Sequence, residues 1–460
     1  MIIGYPKDLV GSKRSQGSLQ GRIDKKQPSL GPSLNSAGDS YYEELGNSGY
    51  DALHYDLDLK VALPENKLDA RVAMLARSLR ELDQFNLDFQ GMEIEEIRVN
   101  SKPAKFVRKE RELQIIPKTP IPAGQDFSVE VDYQGSPESQ KSIASSYVVG
   151  WNYADGCVCV DSQPAGASNW FPVNDHPSDK ASYSFRVEVP QGKTVAASGR
   201  LQNIEKGTET DTYTWASKDP MASYLATIQI GDYDRSEKVL PNGVLLRDYY
   251  PNDLKSETEY DFGRVPQMME FFEEKFGPYP FDVYGGIVVD KEQTAGSAME
   301  MQTLSFFPRS YIKGDRSTEY IVAHELAHQW FGNSLTVSNW SDLWLNEGWA
   351  TYSEMLWIEH NQGTEAMEDA IAKYESKIEP GMSMAAPPKD DIFHQNVYYK
   401  GMSCLHNLRK KIGDEAFFNG AREYTKNNQN SNVTVDSLIE AMESSSGHKL
   451  GGFFEEWMSA

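Results

Sequence analysis

At 460 residues and 51.8 kDa, with 39% hydrophobic and 11% aromatic side chains, the chain can fill two or three packed domains, and wholesale disorder is excluded. Sixty-eight acidic against 45 basic residues leave a formal charge of −23, a surface that repels nucleic acid and anionic membranes, so no nucleic-acid partner is expected. No run approaches the ~20 apolar residues of a membrane span, and residues 1–8 lack the apolar core of a signal peptide; a cytoplasmic protein, monomeric and without a membrane span, is the expectation. Cys157, Cys159 and Cys404 are too few for a disulfide framework and read as free thiols.

Residues 1–41 are rich in Ser, Gly, Lys and Gln and read as a flexible, solvated tail. The first 30 residues alone carry +4, which leaves −27 on the rest. From Tyr50 the text alternates polar with apolar, clearest over 54–61, 126–133, 182–189 and 212–215. Turn signals at Pro122-Ala123-Gly124 and Pro190-Gln191-Gly192 separate the runs. That pattern predicts an N-terminal antiparallel all-β domain over 42–234. After Asp248 the period becomes helical. Helices are predicted over 262–276, 317–332, 347–360, 396–411, 414–425 and 435–444, with a small sheet around 285–290 and 303–306. The second domain, 235–460, is therefore α+β.

One segment stands out chemically: His324-Glu325-Leu326-Ala327-His328. On a helix the two histidines lie one turn apart on one face, so two imidazole nitrogens can converge on one metal ion. Glu325 is offset by about 100° and points beside the ion, where it can take a proton from water without occupying a coordination position. A third histidine six residues after His328 would mark a different class of zinc enzyme; Phe331 and Ser334 stand at its glycine and histidine positions, so that class is excluded. The third ligand must be sought on the next helix. Glu347 follows His328 after 18 residues and is the first candidate, and Glu354, two turns deeper on the same face, is the alternative.

His-Glu-X-X-His with Glu347 after 18 residues, set in Trp344-Leu345-Asn346-Glu347-Gly348-Trp349-Ala350, resembles the aminopeptidase N-like zinc peptidases, gluzincins that include the leukotriene hydrolases. The resemblance spans about residues 46–460. It implies a thermolysin-like zinc catalytic domain, one Zn²⁺ held by His324, His328 and Glu347, and peptide substrates with a free N-terminus. The family's Gly-X-Met-Glu-Asn element, which binds the substrate amine, is matched by Ser297-Ala298-Met299-Glu300-Met301. Glu300 becomes the expected amine anchor, with Met299 and Ala298 beside it; Met301 in place of Asn removes one side-chain amide. Tyr398-Tyr399-Lys400-Gly401 matches the element bearing the catalytic tyrosine, which implies Tyr398, while Tyr399 points elsewhere. Asp161-Ser162-Gln163-Pro164 looks like the β domain's contribution, with Gln163 on the substrate's first residue or its amine. Asp175-His176-Pro177 reads as structural.

The implied reaction is zinc-assisted removal of an N-terminal residue, with Glu325 as general base and Tyr398 as donor to the oxyanion. Three other readings remain: a thermolysin-like endopeptidase, which would ignore a blocked N-terminus; an epoxide hydrolase like the bifunctional relative; and a zinc-free scaffold, which would tolerate Glu325→Gln. Longer relatives continue into a helical domain over the cleft. With the chain closing at Trp457, an open cleft that admits long peptides is expected.

Overall fold

The computed structural model describes residues 36–289 and 297–459; residues 1–35 of the expected tail, and Asp290 at the end of the expected small sheet, lie outside the described residues. The alternating runs form an eight-stranded sheet in the order Arg200–Lys206, Thr210–Ala222, Lys180–Pro190, Tyr50–Ala62, Lys67–Ser78, Asp126–Gly135, Glu93–Val99, Lys102–Pro103. Its inner face is the apolar half of each alternation: Tyr55, Leu57, Leu59 and Val61 on one strand, Phe127, Val129, Val131 and Tyr133 on another, all buried. Every ladder is antiparallel except that between Tyr50–Ala62 and Lys180–Pro190, which run parallel. Alternation reports which face is buried and carries no information on the direction of a partner 120 residues away.

A five-stranded antiparallel sheet supports the site: Thr194–Ala197, Ile228–Gly231, Cys157–Asp161, Val148–Ala154 and Gln140–Lys141. Its strand Cys157–Asp161 delivers the Gln163 loop. A further mixed sheet begins at Asp234–Val239 and continues through Leu245–Tyr250, Gly286–Val289 and Ser305–Pro308, so the expected small sheet is extended by two strands. Nine α-helices follow among the described residues: α1 Lys255–Asp261, α2 Val265–Phe276, α3 Glu319–Ala327, α4 Trp344–Gln362, α5 Thr364–Glu375, α6 Gln395–Ile412, α7 Asp414–Asn427, α8 Val435–Ser446 and α9 Gly451–Met458. Sequence periodicity missed α1, α5 and α9. In α5 only Met367 and Ile371 are buried, too few apolar positions to show a period.

Residues 36–41, counted with the tail by composition, are tied down. Asp39 is 2% exposed; its carboxylate accepts from the amide of Trp340 at 2.9 Å and pairs with His176 Nε2 at 3.1 Å, bridging the two halves of the chain. Ser40 Oγ donates to Asn339 Oδ1 at 2.8 Å. Lys180 makes a second bridge: its buried ammonium donates to the carbonyls of Asn333 and Ser334, at 2.8 and 2.9 Å, in the turn after the histidine helix. Lys180→Met should lower stability by about 1–3 kcal/mol, because two buried acceptors lose a charged donor; an unchanged denaturation midpoint would contradict this.

Candidate metal centre and active site

α3 buries Val322, Ala323, Leu326 and Ala327, which fixes its rotation and sets His324 and His328 side by side, ring centroids 4.7 Å apart. The regular helix ends at Ala327, four residues before the predicted end. His328 caps it, and Gln329 and Trp330 donate to carbonyls only three residues back. α4 starts earlier than predicted, at Trp344, so Glu347 falls in its first turn, where the helix dipole favours a carboxylate. Stacking of Phe331 on Trp349, with centroids 4.4 Å apart, pins the end of one helix segment to the start of the other.

Glu347 Oε2 thereby lies 3.4 Å from Nε2 of His324 and 3.4 Å from Nε2 of His328. Burial alone would raise this carboxyl's pKa; the two imidazoles outweigh burial and hold it well below the usual carboxylate range. The other ring nitrogens are already engaged: His324 Nδ1 with Glu354 Oε1 at 2.7 Å and His328 Nδ1 with the carbonyl of Phe331 at 3.0 Å. Glu354 therefore meets His324 on the side away from Glu347, and its second oxygen accepts from the Tyr374 hydroxyl at 3.0 Å. Two imidazole nitrogens and one carboxylate oxygen, all within 4.8 Å of one another and each braced from behind, form a donor set that fits a zinc ion.

Glu325 is 5% exposed and its Oε2 has no hydrogen-bond partner among the described residues. Burial, with Glu300 and Glu347 adding to it against the two histidines, pushes the carboxyl up to about 8. A carboxylate oxygen of Glu325, one of Glu300 and a ring nitrogen of His328 also lie within 4.8 Å of one another. Glu300 follows a short bridge between Met299 and Phe306 and is buried; burial raises its pKa, Glu347 adds to this and His328 opposes it. From the β domain, Gln163 Nε2 donates to Glu300 Oε1 at 3.0 Å, across 137 positions of sequence. Met299 and Ala298 flank the anchor, half-buried.

Tyr398 projects from α6, its ring 6.3 Å from that of His324 and tilted 20° to it. Burial, reinforced by Glu347, Glu300 and Glu325, lifts its hydroxyl well above the ordinary phenol range, so it stays protonated and able to donate. Tyr399 instead packs on Tyr374, 4.8 Å between centroids. All nine side chains singled out in the sequence thus gather around one centre.

The described chain matches two family models in order: the peptidase M1 N-terminal domain over residues 51–225 and the peptidase family M1 domain over 260–457. The chain belongs to peptidase family M1. Its fold, an N-terminal β-rich domain followed by a mixed helical and β catalytic domain, is that of two-domain M1 metallopeptidases. An M1 zinc metallopeptidase of Deinococcus radiodurans, solved as a glutamate-to-alanine mutant bound to a Tyr-Ser-Ala substrate, aligns with a TM-score of 0.84 and 28% identity over 92% of this chain and 97% of its own. Leucine aminopeptidase 2 of Saccharomyces cerevisiae is 25% identical over 86% of this chain, and leukotriene A-4 hydrolase of Xenopus laevis 27% identical over 65%. The chain spans only 60% and 50% of the length of those two relatives.

Within this M1 frame, sequence reading missed the residues that hold the anchor loop. Gln329, fully buried, donates to the carbonyl of Glu300 at 3.1 Å and accepts from the amide of Thr303 at 2.8 Å; Asn333 Nδ2 donates to the same Glu300 carbonyl. Adjacency of Gln329 to His328 was the available signal, since a polar residue in so apolar a helix needs a buried partner. Met301, where the family has Asn, buries its thioether completely. No helix among the described residues is long and apolar enough to cross a membrane.

Proposed function

We propose that this chain is a zinc-dependent aminopeptidase that removes the first residue from peptides with a free N-terminus. One observation supports the exopeptidase reading above the others: the buried Glu300 carboxylate, steadied by Gln163, stands within 4.8 Å of the Glu325 carboxylate and the His328 ring. An α-ammonium paired with Glu300 would set the first peptide bond beside Glu325 and leave no room for further residues on the amino side. The bound peptide would span both of two units, proposed as 42–234 and 235–460, with the break between Gly231, which closes the five-stranded sheet, and the strand from Asp234. The three cysteines of the chain are free, which fits a reducing compartment, and we place the activity in the cytoplasm.

His324, His328 and Glu347 would hold the zinc ion, with Glu354 and the Phe331 carbonyl orienting the two imidazoles. Bound there, zinc supplies Lewis acidity that activates water and polarises the scissile carbonyl. Glu325 accepts the water's proton through a carboxylate whose raised pKa suits transfer near neutrality, then returns it to the departing amine. The protonated phenol of Tyr398 donates to the oxygen that gains negative charge. Glu300 and Gln163 bind the α-ammonium throughout.

Release of one residue from a free peptide, abolished by a chelator and by N-acetylation of the substrate, is the expected result. Cleavage inside an acetylated peptide would replace this reading with an endopeptidase. Glu354→Ala should weaken zinc binding by about 10- to 100-fold by freeing the His324 ring, measured by competition with a fluorescent chelator; unaltered affinity would show that Glu354 does not orient it.

A further inference from the structure

Asp161 ends the strand Cys157–Asp161 and is 6% exposed, yet its surroundings supply no cation. The amide of Gln163 approaches its Oδ1 at 3.4 Å, a weak bond, and the ionised group that acts on it is another carboxylate, Glu300. Burial first, and Glu300 second, push its carboxyl up to about 7. A buried carboxylate without a positive partner is costly to fold, and such cost persists where function uses it.

The backbone fixes where Asp161 belongs. Ser162 turns into the β domain, where its hydroxyl accepts from the Trp170 indole at 3.3 Å. Residues on either side of it, Asp161 and Gln163, fall on the opposite face of this extended segment. For Gln163 that face is the amine anchor, 3.0 Å from Glu300. Two carboxylates, Asp161 and Glu300, therefore serve one buried space, and a peptide's α-ammonium neutralises only one of them. The second positive charge must come from the side chain next to that ammonium.

We propose that Asp161 is a specificity-determining residue that receives the side chain of the substrate's first residue and makes this chain prefer Arg or Lys there. This rests on the aminopeptidase reading above and adds to it the class of peptide: those with a basic N-terminal residue. The long, flexible stems of Lys and Arg suit a carboxylate set back from the anchor, and the half-buried Met299 and Ala298 give those methylenes an apolar wall.

The test is a panel of fluorogenic amides of Arg, Lys, Met, Leu, Ala and Glu, hydrolysed by the chain and by Asp161→Asn. The chain should favour Arg and Lys over Met, which has similar length and no charge, by about 10- to 100-fold in kcat/KM. Asp161→Asn should erase that preference and leave Met, Leu and Ala nearly unchanged. An equal loss on every amide would overturn the proposal, since it would make Asp161 a support for Gln163 and Glu300. So would hydrolysis of neutral residues without a cationic preference, or a preference for Glu, with or without added Ca²⁺. Failure of the chain to hydrolyse any amide would sink the aminopeptidase reading itself, a different result from losing selectivity alone. Should the variant not fold, free arginine must still inhibit Ala-amide hydrolysis by the unaltered chain more strongly than free methionine; equal inhibition overturns the proposal.

Discussion

Glu325→Gln is expected to reduce peptide hydrolysis by about 10²- to 10⁴-fold while zinc stays bound and the fold is as stable as before, or more so. The two halves of that outcome have separate causes. Activity falls because an amide cannot accept a proton from water, although it fills the same space. Stability holds because Glu325 is a buried carboxylate with one orphaned oxygen, raised to about 8 by burial and by two neighbouring carboxylates. Neutralising it removes a repulsion and breaks no hydrogen bond that the described residues make through Oε2. Steady-state hydrolysis, metal analysis and a thermal melt on one preparation decide it. Unchanged turnover would remove Glu325 from the chemistry; lost zinc would make it part of the metal's support instead.

Those features of the site that depend on local spacing were legible in the sequence, and those that depend on distant pairing were not. His324 and His328 are four residues apart on a helix, so geometry alone brings them together. Glu347 and Glu354 could not be separated by spacing, because seven residues return a side chain to the same face. The structure separates them by level along the helix. At the start of α4, Glu347 faces both Nε2 atoms; two turns on, Glu354 has passed His324 and meets its Nδ1. The contact between Gln163 and Glu300 was expected only by resemblance, since no periodicity links positions 137 residues apart. Asp39 lay hidden in a polar, aperiodic stretch, and its role depends on a backbone amide, Trp340, that no sequence pattern marks. Asp161 was quoted within a motif and passed over, because a carboxylate's lack of a partner is visible only in three dimensions.

Gly401→Ala should be the most damaging small substitution away from the zinc cluster. α4 and α6 cross backbone to backbone: a Cβ on Gly401 would stand 3.0 Å from the Cα of Gly348 and 3.4 Å from the carbonyl of Trp344. Neither neighbour is a side chain that can swing aside, so the helices must separate. Gly348 is adjacent to Glu347, and Gly401 lies one turn beyond Tyr398; the crossing therefore sets the spacing between the proposed zinc ligand and the proposed oxyanion donor. Overpacking of this kind costs about 1–3 kcal/mol, and a shift of ~1 Å in a catalytic group costs about 10²-fold in rate. The expected signature is a kcat reduced by about that factor, a smaller change in KM because Glu300 and Gln163 sit on other elements, and zinc retained. Gly348→Ala, whose Cβ would meet the Cα and carbonyl carbon of Gly401 at 3.0 Å, should behave alike. Combined, the two alanines should cost less than the sum of the single effects, because helices already forced apart by one methyl accept the second more readily. Fully additive losses, or a Gly401→Ala protein with unaltered kcat, would show that Tyr398 takes its position from something other than this crossing.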